Sequence, residues 1–417
     1  MKQKARQILK HPLISKSIVM FIGTLLANII NFLFNLFMIK SLTKVDYGVL
    51  QSLLSIIALT GMAASATIPL LINFGGTYFA KKDYNRIKKL YKIVGKFFFA
   101  SGLSLFVIFL IFIPNISQFF HIENYPLLIL TDFTIFMGYI FIINHALLNA
   151  GLKFNFYALL IFLISLLKLI FGIILVLLGF SVSGAIGAIL ISSIITYILS
   201  FIPLSFLFKK QTSSENINTK ELLKYGIPSA IVTLGLTSLI STDIILVKHF
   251  FGPDIAGEYS GLSLIGKIIF FFSAPIGTVM FPLIVQKYNK KENFTNTFKL
   301  SLLLVSLPSI CLVIFYYFFP HFVITFFAKK EYLSISQYIT LFSIFISMYT
   351  LVSLLTNLYL AINKTKIWIP VSIAALAQAS LIWFNHQSIL DVILISLGTT
   401  FLLLIVLLLY YPYATKK

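Results

Sequence analysis

A single cysteine, Cys311, stands in 417 residues, which excludes an internal disulfide and any cysteine-based metal or iron–sulfur centre. Within its apolar run it reads as a small inert side chain. Arginine is almost as scarce, occurring only at Arg6 and Arg86. Charged residues of all kinds make up 11% of the chain, where a soluble domain carries about 25%. That shortage leaves no means of covering a fold of this length with a solvated shell. The sequence also lacks a GxxxxGK[ST] phosphate loop, an HExxH metal motif and a dinucleotide fingerprint. It therefore signals no nucleotide hydrolysis, no metal, no cofactor and no catalytic set. The amino-terminal MKQKARQILKHP has no short apolar core followed by a small-residue cleavage site, and reads as a retained cytoplasmic tail.

What the chain has in abundance is hydrophobic surface, at 59% of positions. Apolar runs of roughly 20 residues, enough to cross ~30 Å of hydrocarbon, recur along its whole length. They lie at about 17–39, 47–73, 97–114, 126–149, 156–178, 183–207, 225–250, 259–285, 300–320, 334–360, 367–384 and 389–411. The expectation is an all-α integral membrane protein of about twelve transmembrane helices. Short breaks carry turn chemistry, such as Pro114-Asn115 and Gly252-Pro253-Asp254, and a long polar break after Leu207 divides the chain almost in half.

Positive charge then sets orientation, because loops that stay cytoplasmic keep their lysines and arginines. With the amino terminus inside, 25 of the 32 basic residues fall on one side. Only Lys40, Lys44, Lys248, Lys329 and Lys330 fall on the other, and Lys168 and Lys267 lie within helices. Both termini are expected in the cytoplasm. Most of the formal charge of +20 is thereby assigned to topology, with no need for nucleic acid. Within Lys81–Lys96, Ile87, Leu90, Tyr91 and Val94 share one helical face, while Arg86, Lys88, Lys89 and Lys92 crowd the other. Such a segment is expected to lie in the anionic inner leaflet, in contact with membrane lipids.

Four local matches recur in order between the halves. Asp46-Tyr47 pairs with Glu258-Tyr259, and Pro69-Leu70-Leu71-Ile72 with Pro282-Leu283-Ile284-Val285. Lys81-Lys82-Asp83 pairs with Lys290-Lys291-Glu292, and Ala150 and Lys153 with Ala361 and Lys364. Six helices is an even number, so the second copy enters the membrane from the same side as the first. The expected architecture is two six-helix lobes, residues 1–210 and 211–417, related by a pseudo-two-fold along the membrane normal, with a cavity between them.

Ionisable groups inside hydrocarbon cost about 2.5–3.5 kcal/mol or more on insertion scales and are functional candidates. Lys168 is placed near the midplane of the fifth run, and Lys267 in the outer half of the eighth. For each, a structural ion pair competes with a role in binding. Asp243, toward the outer end of the seventh run, either balances Lys267 or Lys248 or binds a coupling cation. On the first run Thr24, Asn28, Asn31 and Asn35 recur at helical spacing on one face. Facing lipid would be costly for these amides, so they meet other helices or line a cavity, where they suit sugar hydroxyls. His145 stands alone and reads as an interior histidine. Gly184 and Gly187 point to close helix packing.

The segment SLTKVDYGVLQSLLSI (Ser41–Ile57) closely resembles the first loop and second helix of the polysaccharide transporter family, within the multidrug/oligosaccharidyl-lipid/polysaccharide exporter superfamily. STDIILVKHFFGPDIAGEYSGLSLIGKI (Ser241–Ile268), with Asp243 and the Gly257–Tyr259 turn, looks like the same family's junction between helices seven and eight. The resemblance extends over nearly the whole chain. It implies a flippase for O-antigen or capsule repeat units in the bacterial cytoplasmic membrane, with an undecaprenyl-diphosphate-linked oligosaccharide as cargo, moved by alternating access. Other polysaccharide-assembly proteins are implied partners. Members have cationic cavities, which only Lys168 and Lys267 can supply here. Two alternatives are a cation-coupled multidrug exporter of the same superfamily and a membrane-embedded polymerase. The lysines suit an anionic cargo better than a cationic drug, and the outside loops are too short for an enzyme site.

Overall fold

The computed structural model describes residues 12–65, 71, 75–76, 78–79, 81–151, 153–208, 219–289 and 291–415. The basic segment before Pro12, Pro69, residues 209–218, Lys290, Lys416 and Lys417 lie outside these. Each expected run is helical among the described residues, and no strand occurs there. In chain order the helices are α1 Pro12–Ser41, α2 Lys44–Ser65, α3 Tyr84–Ile111, α4 Ile113–Phe120, α5 Tyr125–Ala150, α6 Phe154–Leu175 and α7 Ser181–Ser200. They continue as α8 Thr219–Leu239, α9 Thr242–Phe250, α10 Pro253–Gly266, α11 Ile268–Asn289, α12 Thr295–Phe318, α13 Pro320–Phe327, α14 Ile339–Ala361, α15 Trp368–Phe384 and α16 Ile389–Thr415.

By length and hydropathy, nine described segments qualify as membrane-crossing, or ten when α8 and α9 count as one bent span. Asn155–Ser200 enters that count as a single stretch of 46 residues. The backbone turns at Gly179 (φ 93°) and Ser181 (φ 46°), however, and α6 packs along α7 as a hairpin. Glycine suits that left-handed position because it has no Cβ to clash. A Cβ on Gly184 would sit 3.0 Å from the Leu175 side chain, so the expected close approach is present.

Three features depart from the sequence reading. The seventh run is not one helix: α8 and α9 meet at a 46° bend. The eighth run is interrupted at Lys267, the residue between α10 and α11. The Lys81–Lys96 segment is not a separate helix in the leaflet plane. From Tyr84 it continues without a break into the third span, giving a helix of 28 residues, roughly 42 Å at 1.5 Å per residue. That exceeds the ~30 Å hydrocarbon layer, so the first turns stand in the head-group zone. Asp83 caps them, its carboxylate accepting from the Arg86 backbone N–H at 3.0 Å. Ile87, Leu90 and Val94 are buried as expected, but so is Lys88, at 6% exposure.

The chain divides into two compact units. One comprises Met1–Phe34, Ala63–Pro114 and Asn124–Ile227; the other Asn35–Met62, Asn115–Glu123 and Pro228–Lys417. In the first, α5 packs against α3 and α7, with a small core of Ile87, Leu147, Leu148, Leu160 and Leu204. In the second, α14 is the central helix, packed against α11, α12 and α16. The outward faces are apolar: on α12, Leu300, Leu303, Leu304, Leu307, Ile310 and Ile314 are all exposed, at the spacing of a lipid-facing stripe. Cys311 shares that exposed helix.

The two segments that carry the family resemblance pack on each other in the second unit. Lys44 Nζ pairs with Glu258 Oε1 at 2.9 Å. Tyr47 and Tyr259, equivalent in the internal match, are both fully buried. A Cβ on Gly257 would lie 2.2 Å from the Lys44 carbonyl oxygen, and one on Gly48 would lie 3.0 Å from the Gly257 nitrogen. Only glycine permits this approach of α2 to α10.

Candidate functional site

The break in the seventh run gathers several buried polar groups of the second unit. A bend frees carbonyls that a straight helix would satisfy, and in hydrocarbon these need other donors. Two side chains distant in sequence supply them. Lys267 Nζ donates to the Ile240 carbonyl at 2.7 Å, and Gln378 Nε2 to the Leu239 carbonyl at 3.1 Å. Gln378 also donates to Ser396 Oγ at 2.8 Å, joining α15 to α16, while the Ser238 and Thr242 hydroxyls bridge the bend at 2.8 Å.

Asp243 lies in the first turn of α9, where backbone N–H groups and the helix dipole favour a carboxylate. It is fully buried, and Oδ2 accepts from the Tyr259 hydroxyl at 2.8 Å. It forms no ion pair with Lys267 or Lys248; the described ion pairs are Lys44–Glu258 and Arg86–Asp83. Lys267 acts on it through space. Oδ1 makes no hydrogen bond of regular geometry, and neither do the buried Ser263 Oγ, Gln378 Oε1 and Thr400 Oγ1. Helix α9 packs on both α15 and α16, so these oxygens belong to elements that meet around it.

In the first unit, Asn31 Nδ2 donates to Ser165 Oγ at 3.2 Å. One turn along α6, the Lys168 ammonium lies 4.6 Å from the centroid of the Phe34 ring. The structure thus brings Asn31, Phe34, Ser165 and Lys168 together, with Asn28 one turn earlier on α1 and half-buried. Asn35 is used differently: in the second unit, its Oδ1 accepts from Gln51 Nε2 at 2.9 Å, and the same amide reaches the Tyr47 hydroxyl. His145 packs edge-on against Tyr157 in the interior.

Sequence reasoning missed Gln378, Tyr259 and Asp132. Gln378 was visible as the lone amide in the apolar run WIPVSIAALAQASLIWF, and it is fully buried. Tyr259 gave no signal of its own beyond its place in the internal match. Asp132 on α5 is an intramembrane carboxylate at 1% exposure whose Oδ2 has no hydrogen-bond partner.

Interrupted spans that place a carboxylate and capped carbonyls inside the bilayer are the construction of membrane carriers. The chain belongs to the polysaccharide biosynthesis protein family, which matches residues 37–337. No curated protein matches it. Its fold is that of transporters of the MOP superfamily, which have twelve helices in two lobes. It is similar to the lipid II flippase MurJ in an inward closed conformation, with 18% identity and a TM-score of 0.73, covering 96% of this chain and 87% of that one. An inward-facing multidrug resistance MATE family transporter aligns at 14% identity and a TM-score of 0.69, covering 95% and 93%. A MOP superfamily transporter from Pyrococcus furiosus, noted for the reverse polarity of its binding pocket, aligns at 14% and 0.65, covering 96% of each chain. The expected class and resemblance are borne out.

Proposed function

We propose that this protein flips a lipid-linked oligosaccharide, carried on undecaprenyl diphosphate, across the bacterial cytoplasmic membrane for surface polysaccharide synthesis. It acts as a carrier, without covalent chemistry, by alternating access between lobes spanning residues 1–210 and 211–417, with both termini cytoplasmic. The observation that carries this reading is a polysaccharide biosynthesis family match across 37–337 on a transporter fold. Lys168 supports it, since an ammonium inside the bilayer attracts a diphosphate as a mobile point charge. The amide of Asn28 supplies hydrogen bonds for sugar hydroxyls, and that of Asn31 does so in exchange for its bond to Ser165. Asn35 is engaged by Gln51 and Lys267 by a carbonyl, so both contribute to cargo only if those bonds exchange.

Asp243 is the coupling group of this reading. A carboxylate oxygen together with amide and hydroxyl oxygens suits a hard cation such as Na⁺, or a proton on the carboxylate alone. Binding there biases one of two arrangements in proportion to its differential affinity. The test is flipping of a lipid-linked sugar in proteoliposomes, with and without an imposed proton or Na⁺ gradient. The expected result is gradient-stimulated flipping by the wild type and unstimulated flipping by an equally abundant Asp243→Asn variant. Deletion in cells is expected to strand sugar-loaded polyprenyl diphosphate on the cytoplasmic leaflet; normal export without the protein overturns the function. An Asp243→Asn variant that keeps its gradient response overturns the coupling role alone.

A further inference from the structure

At one end of the first unit, the start of α3, the α5–α6 turn and the chain after α7 line a half-open cavity of about 680 Å³. That volume falls within the ~300–1,000 Å³ range of small-molecule sites. Lys82 and Lys153 line it, with Ser205 and the buried Lys88, and among the described residues no acidic one does. The nearest carboxylate in sequence, Asp83, is already committed: it caps α3 and pairs with Arg86 Nε at 3.2 Å. Lys153 Nζ is anchored by donating to the Pro203 carbonyl, which leaves its other N–H donors for a ligand. Lys82 occupies a left-handed turn position (φ 54°) with its side chain exposed. The remaining wall is aromatic. Phe79, Tyr84 and Phe206 pack on one another with centroids 5.2 to 6.5 Å apart.

The ammonium groups of Lys82 and Lys153 beside an aromatic wall form an amphiphilic receptor, suited to a ligand that is a phosphate at one end and apolar at the other. We propose that this cavity is a resident site for the phosphate head group of a membrane lipid. Charge placement assigns this end to the cytoplasmic leaflet, where anionic lipids are concentrated. The chemistry is shared by anionic phospholipids and by the polyprenyl diphosphate carrier, and lysines serve either source as mobile point charges. The site is separate from Lys168 and Asp243, and stands or falls independently of the cargo assigned above.

The experiment measures binding of phosphatidylglycerol, cardiolipin, undecaprenyl diphosphate, phosphatidylcholine and inorganic phosphate to the full-length purified protein by native mass spectrometry and thermophoresis. Saturable binding of the anionic lipids, with phosphatidylcholine excluded, is expected. Lys82→Gln, a surface change that spares the fold, is expected to weaken binding about fivefold, and Lys82→Gln with Lys153→Gln further still. The charge-matched control Lys89→Gln with Lys92→Gln, on α3 outside the cavity, is expected to leave affinity within about twofold of wild type. Preference for the phospholipids or for the diphosphate carrier assigns the source, and either supports the site. Equal losses in both double variants, equal binding of phosphatidylcholine, or saturation by inorganic phosphate with no gain from a lipid tail overturns it.

Discussion

Lys168 and Lys267 are both lysines inside the bilayer, yet they stand in opposite chemical situations. Lys267 is the joint between two helices and gives its ammonium to a backbone carbonyl that a third helix has released. Lys168 sits within an unbroken helix, and among the described residues its ammonium meets only the face of Phe34. A charge spent on backbone repair is part of the fold, whereas a charge resting on a ring can be offered to a ligand. Hydropathy scores the two alike, so only the partner distinguishes them.

The sharpest way to break this contrast is Lys267→Met. It leaves the Ile240 carbonyl without a donor, a loss of about 1–3 kcal/mol, and leaves Asp243 without the nearby positive charge. Abundance and melting temperature in detergent should fall clearly; wild-type values for both would remove the structural role. Next in size is Gly257→Ala, whose methyl group must push α2 from α10 against backbone rather than a flexible side chain. Overpacking of this kind costs about 1–3 kcal/mol. A thermal-shift measurement should register it, and an unchanged melting temperature would show that the approach at Lys44 is not tight. The smallest stability effect belongs to Lys168→Gln, which loses only a cation–ring contact of about 0.5–2 kcal/mol. Insertion and abundance should stay near wild type while sugar-lipid flipping falls several-fold. Wild-type flipping by a stable Lys168→Gln protein would take away its claim on the diphosphate.

The helices were legible because a hydrocarbon solvent forces long apolar runs. The bend between α8 and α9 was not. Its donors, Lys267 and Gln378, come from 27 and 139 residues away, and no local pattern announces that a carbonyl will be captured. Lys88 was misplaced for a related reason: helical periodicity grouped it with the charged face, but it is buried on the side where the α5–α6 turn and the chain after α7 lie. Asp132 escaped notice although a carboxylate inside the fourth run is a plain signal. Its surroundings, rather than its presence, are what only the fold supplies.

The way the seventh span is broken has a mechanical consequence. A proline at the corner would make the bend permanent, since its ring removes a donor for good. The only proline in α8, Pro228, lies well before the corner, and the corner itself is held by an ammonium and an amide that can let go. If Lys267 swings away, the Ile240 carbonyl can regain a helical partner, and the span can straighten by exchanging one hydrogen bond for another of similar strength. The corner is thus held by bonds that can exchange rather than by a ring that cannot, and the lysine that holds it is the one whose charge acts on Asp243.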